Sequence, residues 1–153
     1  MTPQQLITLK ALALADNEAL SYLTNGNDTQ LKDWFNTETT FVIWRSVLTS
    51  RMSREAIVEG AIELNNLTPV SQSGLLYLCE GDLPVYKSSV RKAIVDLCGN
   101  QNTLKAALAA ASKRFANRAE KALATGTGTN ADPALLTWEG PISGMLVSEI
   151  RNA

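Results

Sequence analysis

Thr-Pro occurs twice in this chain, at Thr2-Pro3 and at Thr68-Pro69, each time just ahead of an apolar run. A threonine side chain can accept one of the backbone N–H groups left over at a helix start. Proline in the first helical position gives up an N–H that has no partner there anyway. The two pairs therefore predict helices beginning at residues 3 and 69. Similar signals fill the interval. Asp16 precedes NEALSYL, which Asn25-Gly26-Asn27 ends, and Asn27 or Asp28 precedes TQLKDWFN, where Leu31, Trp34 and Phe35 fall on one side. Ser53 precedes REAIVEGAIELNNL, with Ile57, Ala61 and Leu64 at helical spacing. Residues 39–49, TTFVIWRSVLT, break the pattern. They are β-branched and aromatic, and fit an irregular stretch or a single strand too short to imply a sheet.

The second half continues in the same way. PVSQSGLLYLCEG predicts a helix closed by Gly81, and LPVYKSSVRKAIVDLCG one with Tyr86, Val90, Ala93, Ile94 and Leu97 inward and Lys87 and Arg91 outward. NTLKAALAAASKRFANRAEKALATG reads as the longest helix, striped by Leu104, Leu108, Ala111, Phe115, Ala119 and Ala122 and ended at Gly126. The character of the chain then changes. GTGTNADP has too little apolar surface to fold alone, ALLTWEG suits a short strand or extended segment, and ISGMLVSEIRNA suits a last short helix capped by Ser143. The expected fold class is mainly α: a compact multi-helix bundle over residues 1–125, followed by a C-terminal extended docking arm, residues 126–153, with a short strand and a final short helix. A tail this apolar has to land somewhere, either on its own domain or on a neighbour.

Composition narrows the function classes. With 153 residues, 45% of them hydrophobic, the chain can bury a real core. A net charge of -1 argues against a generic nucleic-acid coat. The N-terminus has no positive segment ahead of its apolar stretch and Lys10 interrupts that stretch, so synthesis in the cytoplasm without a signal peptide is expected. No run approaches the roughly 18 apolar residues needed to cross a bilayer, so no membrane partner is expected. Cys79 and Cys98 read as reduced packing thiols, and without any histidine they make no recognisable metal set. The lack of histidine also removes the usual base of serine and cysteine nucleophile systems. Glu55, Glu59 and Glu63 lie four apart on one expected helix face, where Arg51 can relieve Glu55; such a row is more often a solvated edge than an acid–base pair. The TGTGT stretch follows a helix instead of opening one and has no trailing lysine, unlike a phosphate cradle. Residues 53–78 could be taken for a helix-turn-helix, yet the second helix offers mainly Gln72 and serines to base edges. No catalytic residue, cofactor site or metal site is expected.

Charge is polarised along the chain. Residues 1–82 carry 5 basic and 10 acidic side chains, residues 83–153 carry 9 and 5. Opposite-sign surfaces suit a subunit that meets copies of itself or a neighbour. Lys113, Arg114, Arg118 and Lys121 concentrate the positive part near the end of the expected long helix, either as an interface or as a solvated helix end.

The closing segment, KRFANRAEKALATGTGTNADPALLTWEGPIS, resembles the ending of a family of small structural proteins of tailed bacteriophages and prophages. MTPQQLITLKA and FVIWRSVLTSRMSREAIVEGAIELNNLT resemble that family too, so the likeness spans most of the chain, with residues 125–140 carrying most of its specificity. The resemblance implies a virion protein at the head–tail junction: a helical adaptor forming a homo-oligomeric ring below the portal, made in the host cytoplasm, with no active site. Implied partners are the portal, another neck or tail protein, and double-stranded DNA passing through the lumen without sequence-specific binding. In such a ring Leu135, Leu136 and Trp138 are expected to anchor the arm on a neighbour, with Glu139-Gly140-Pro141 setting the turn, and Glu55, Glu59 and Glu63 to line the lumen. The alternatives are another head-completion or neck component, or a non-viral helical interaction module with weak nucleic-acid contact.

Overall fold

The computed structural model describes residues 1–153. The chain is mainly helical, with ten helices, few short strands and a C-terminal helix. It divides into two units. The first is made of both chain ends, Met1–Ile43 and Phe115–Ala153, and the second is the continuous stretch Trp44–Arg114. The division differs from the expected one at residue 126, and its cause is that the tail is built into the first unit.

In the first unit, α1 (Pro3–Leu14) starts at Thr2 with a full capping box: Gln5 N–H donates to Thr2 Oγ1 and Thr2 N–H to Gln5 Oε1. Helices α2 (Asn17–Thr24) and α3 (Asp28–Asn36) begin on the side chains of Asp16 and Asn27. After α3 comes β1 (Glu38–Trp44), which pairs in a two-stranded sheet with β2 (Lys113–Asn117). Further along, α9 (Arg118–Leu123) leads into β3 (Ala124–Thr125), which pairs antiparallel with β4 (Leu135–Leu136); α10 (Gly144–Asn152) closes the chain. One core joins Leu9, Ala13, Leu31, Trp34 and Phe35 from the N-terminal helices with Ala119, Leu123, Ile142, Val147 and Ile150 from the C-terminal ones. A smaller cluster joins Ile43, Ala116 and Ala134.

In the second unit, α4 (Ser50–Glu59), α5 (Ala61–Leu64), α6 (Pro69–Leu78), α7 (Ser88–Cys98) and α8 (Asn102–Ala111) surround a core of Leu48, Ile57, Leu75, Val85, Ile94, Leu104 and Leu108. Cys79 and Cys98 are free and buried in it, and burial pushes the Cys98 thiol up to about 11, as expected of packing thiols. The start of α4 is capped by Thr49, with Met52 N–H donating to Thr49 Oγ1, while Ser53 is buried and donates back to the Thr49 carbonyl.

Two expected helices are broken. The REAIVEGAIEL run bends at Gly60, because α4 packs on α8 so closely there that a Cβ on Gly60 would lie 2.8 Å from Leu104 Cα. The expected long helix stops at Ala111: buried Ser112 turns its hydroxyl onto the Leu108 carbonyl, and the chain becomes β2 before restarting as α9. Phe115 consequently is not a core residue but stands about half exposed (49%). Its neighbour Ala116 is the one that packs inward, with Thr39 donating to the Ala116 carbonyl.

Candidate functional site

The broken helix rearranges the expected cationic patch. Lys113 and Arg114 belong to β2 at the end of the second unit, and Arg118 and Lys121 to α9 in the first. The Arg118 guanidinium lies 4.6 Å from the centroid of Trp34, and Lys121 Nζ 5.9 Å from that of Phe41. Around the Arg118–Trp34 stack is a polar hollow of about 270 Å³ lined also by Glu18, Tyr22, Gln30 and Asp33. Tyr22 Oη donates to Glu18 at 2.8 Å and Lys32 pairs with Asp33 at 3.4 Å, so the charges in and around it are largely balanced. Such an arrangement can hold a polar group; it does not assemble a nucleophile and a base.

The arm residues land on their own unit. Leu136 packs with Ile43 and Ala134, and Trp138 against the main core, while Leu135 stays 43% exposed. Thr137 Oγ1 donates to the Leu123 carbonyl at 2.7 Å and accepts from Gln5 Nε2 at 3.3 Å. The Glu139-Gly140-Pro141 turn is fastened at Gly140, where φ is 124°. Its N–H donates to Glu120 Oε1 at 3.1 Å and its carbonyl accepts from Asn117 Nδ2 at 3.3 Å. Asn36 then clamps Ile142 through both its backbone groups, and Arg151 forms an ion pair with Asp28 at 2.5 Å. Glu120, only 1% exposed, is the residue that sequence reasoning missed: its other oxygen accepts the Asn117 N–H, completing a capping box at the start of α9. The signal was present, since Asn117 and Glu120 have the spacing of a helix start.

The three glutamates do not form one row. Glu55 accepts from Arg51 at 2.9 Å, Glu59 ends α4, and Glu63 sits beyond the Gly60 bend on α5. Glu63 Oε2 accepts the Leu104 N–H at 2.8 Å. It thereby caps α8, whose own N-cap residue, Gln101, makes no side-chain cap bond. That bond holds the Glu63 carboxyl below its ordinary value.

The second unit also holds a cation–aromatic cluster. Arg91 lies 4.3 Å and Lys113 5.3 Å from the centroid of Trp44. Arg91 Nη1 donates to the carbonyls of Val85 and Tyr86, at 2.8 and 2.7 Å, and Lys87 lies 5.8 Å from the Tyr86 ring. Trp44, Arg91 and Lys105 share one small cavity of about 70 Å³ floored by Ile94 and Leu108. Contrary to the expected helix face, Tyr86 lies ahead of α7 and is 45% exposed, while Arg91 is partly covered. Burial lowers the Arg91 pKa from the usual guanidinium value. Elsewhere no group of three or more Cys, Asp or Glu side chains is placed to hold a metal ion, and no helix is long and apolar enough to cross a membrane. Compared with family models, with curated proteins and with solved structures, the chain matches none.

Proposed function

We propose that this chain is a structural virion protein of a tailed phage, a ring adaptor at the head–tail junction below the portal, made in the host cytoplasm and without catalytic activity. Its partners in this reading are copies of itself, the portal, a further neck or tail protein, and duplex DNA in the lumen. The sequence resemblance supplies the virion assignment. What supports assembly is the second unit, which leaves large apolar side chains exposed and changes sign of charge along its sequence.

Val58, Ile62, Val70 and Tyr77 on α4–α6 are between 73% and 83% exposed, far more than isolated surface residues need to be. They stand in residues 50–82, which hold five acidic and two basic side chains. Residues 83–114 hold six basic and one acidic. Segments of opposite sign on one subunit suit a head-to-tail contact repeated around a ring. The exposure of these four large apolar side chains is the observation that carries the proposal. Glu63 serves the fold as the cap of α8, while Glu55, paired with Arg51 but exposed, and Glu59 remain free to face a lumen in this reading.

Native mass measurement, on the protein alone and after mixing with the portal of the same virus, tests this reading. A ring-sized species in either sample is the expected result. A monomer in both removes the adaptor assignment. Val58→Asp with Ile62→Asp should dissolve the ring while leaving the helical circular dichroism unchanged.

A further inference from the structure

The hollow beside Trp34 holds polar groups that the fold brings together and leaves unused. Two helices and the start of a third build it. Glu18 and Tyr22 stand four apart on α2, Gln30, Asp33 and Trp34 fall on one side of α3, and Arg118 is the first residue of α9. The Arg118 guanidinium lies over the Trp34 ring and has neither a hydrogen bond nor an ion pair. Trp34 itself is only 6% exposed, and its indole N–H is buried without an acceptor. A buried donor left unpaired is unfavourable, so an acceptor from outside the chain is worth binding there. The Gln30 amide oxygen accepts from Asn27 at 2.6 Å, which leaves the Gln30 NH2 unused. On the accepting side, Glu18 takes the Tyr22 hydroxyl and Asp33 pairs with Lys32, each through one carboxylate oxygen. The second oxygen of each has no partner in the chain.

Charge and shape then select the ligand. Glu18 and Asp33 balance Lys32 and Arg118, so a simple anion or cation would meet its own sign as well as the opposite one. A molecule that is neutral overall and carries both a carboxylate and an ammonium avoids that conflict. At about 270 Å³ the hollow falls just short of the about 300–1,000 Å³ typical of sites for drug-sized ligands. Its ligand is therefore small. Trp34 is packed in the core with Arg118 over its ring, so no open aromatic face is offered to a sugar ring or to a large apolar side chain.

We propose that this hollow binds a free α-amino acid with a small polar side chain. Its carboxylate accepts from Arg118 and the Trp34 N–H, and its ammonium donates to the open oxygens of Glu18 and Asp33. The site lies wholly in the first unit, and the inference does not rest on the ring reading: a chain that assembles without binding, or binds without assembling, tells the two apart.

The test is a proton–nitrogen NMR titration of the whole chain with serine near neutral pH, followed at the tryptophan indole signals. The Trp34 signal should move saturably downfield, as an N–H that gains an acceptor does, while that of Trp44 in the second unit stays. Acetate lacks the ammonium and ethanolamine lacks the carboxylate, so each should bind at least about tenfold more weakly than serine. Arg118→Gln should weaken serine by a similar factor, about tenfold or more. Glu18→Gln should weaken serine and leave acetate unchanged. Both variants should melt nearly as the wild type does, since Arg118 makes no bond and a glutamine still accepts from Tyr22. Should Arg118→Gln fail to fold, the comparison of ligands and Glu18→Gln decide by themselves. A Trp34 signal that stays in place with serine overturns the proposal. So does acetate binding as tightly as serine, which would make the hollow an anion site, or a loss in Glu18→Gln that is equal for both. Glucose is titrated in parallel, and tighter binding of glucose than of serine would assign the hollow to a sugar instead.

Discussion

The two units are built on opposite plans. The first is closed by contacts between residues more than a hundred positions apart, such as Asn36 with Ile142 and Lys10 with the carbonyls of Arg151 and Ala153. The second is one uninterrupted stretch of chain whose helices follow each other around a local core, and it leaves Val58, Ile62, Val70 and Tyr77 largely exposed. One plan spends polar groups on long-range closure; the other leaves large apolar side chains on the surface. The comparison teaches that the segment most suggestive of an arm, with its glycines, tryptophan and Glu-Gly-Pro turn, is structural. The candidates for recognition lie in the segments that looked like ordinary helices.

The sharpest way to break this comparison is to end the chain after Thr125. That removes Ile142, Val147 and Ile150, all fully buried, together with Trp138. The three aliphatic residues alone represent about 5–9 kcal/mol of burial, comparable with the whole net stability of a typical domain, about 5–15 kcal/mol. The first unit should lose its cooperative melting, and hydrogen exchange in α1–α3 should rise to that of an unfolded segment. If α1–α3 stay protected, the tail is an arm after all. Phe35→Ala, which empties a fully buried site in the same core, should cost about 3–5 kcal/mol in the thermal unfolding of that unit. Phe115→Ala, at a half-exposed position, should cost well under half of that. Equal losses would mean that Phe115 is buried and that the long helix is unbroken.

How much of this could be read from the sequence follows the same division. Helix starts at Thr2, Asp16, Asn27, Thr68 and Ser143 were legible because a cap is a bond between neighbours two or three residues apart. The end of α8 was not. Alanine, lysine, arginine and phenylalanine can all continue a helix, and what stops this one is tertiary: Ala116 packs with Ile43 and Ala134, and Thr39 takes its carbonyl. The bend at Gly60 is likewise set by Leu104, far along the chain. The cation cluster was invisible because Trp44, Arg91 and Lys105 come from a strand and two separate helices, and only the fold gives them a common cavity. The landing of the tail was open in the sequence between its own domain and a neighbour; the structure puts it on its own unit.

Gly60→Ala sharpens the comparison from the second unit. The added methyl would meet Leu104 at 2.7–2.9 Å from its backbone and side chain, with no flexible side-chain end to give way at the Cα. Overpacking of this kind costs about 1–3 kcal/mol. Differential scanning calorimetry should show a lowered transition for residues 44–114 and little change in the signal of the tail-built core. A variant as stable as the wild type would mean that α4 and α8 do not approach as closely as the bend requires.

The smallest effect expected is a pH dependence at Glu63. Its carboxylate accepts the Leu104 N–H at the start of α8, where an unpaired donor and the positive end of the helix dipole both favour the charged form. The carboxyl is therefore more acidic in the folded chain than in the unfolded one. A lowered carboxyl pKa contributes stability that is fully present above the unfolded value and is lost as pH falls through the folded one. The second unit should accordingly lose part of its stability on acidification below the ordinary glutamate range, and Glu63→Gln should show a flatter loss over the same interval. Near neutral pH the variant should be somewhat less stable, since an amide oxygen accepts the same bond without the charge. Thermal melts of both proteins at stepwise lower pH measure the difference. Parallel curves would show that Glu63 is a solvated residue and return it to the exposed row with Glu59.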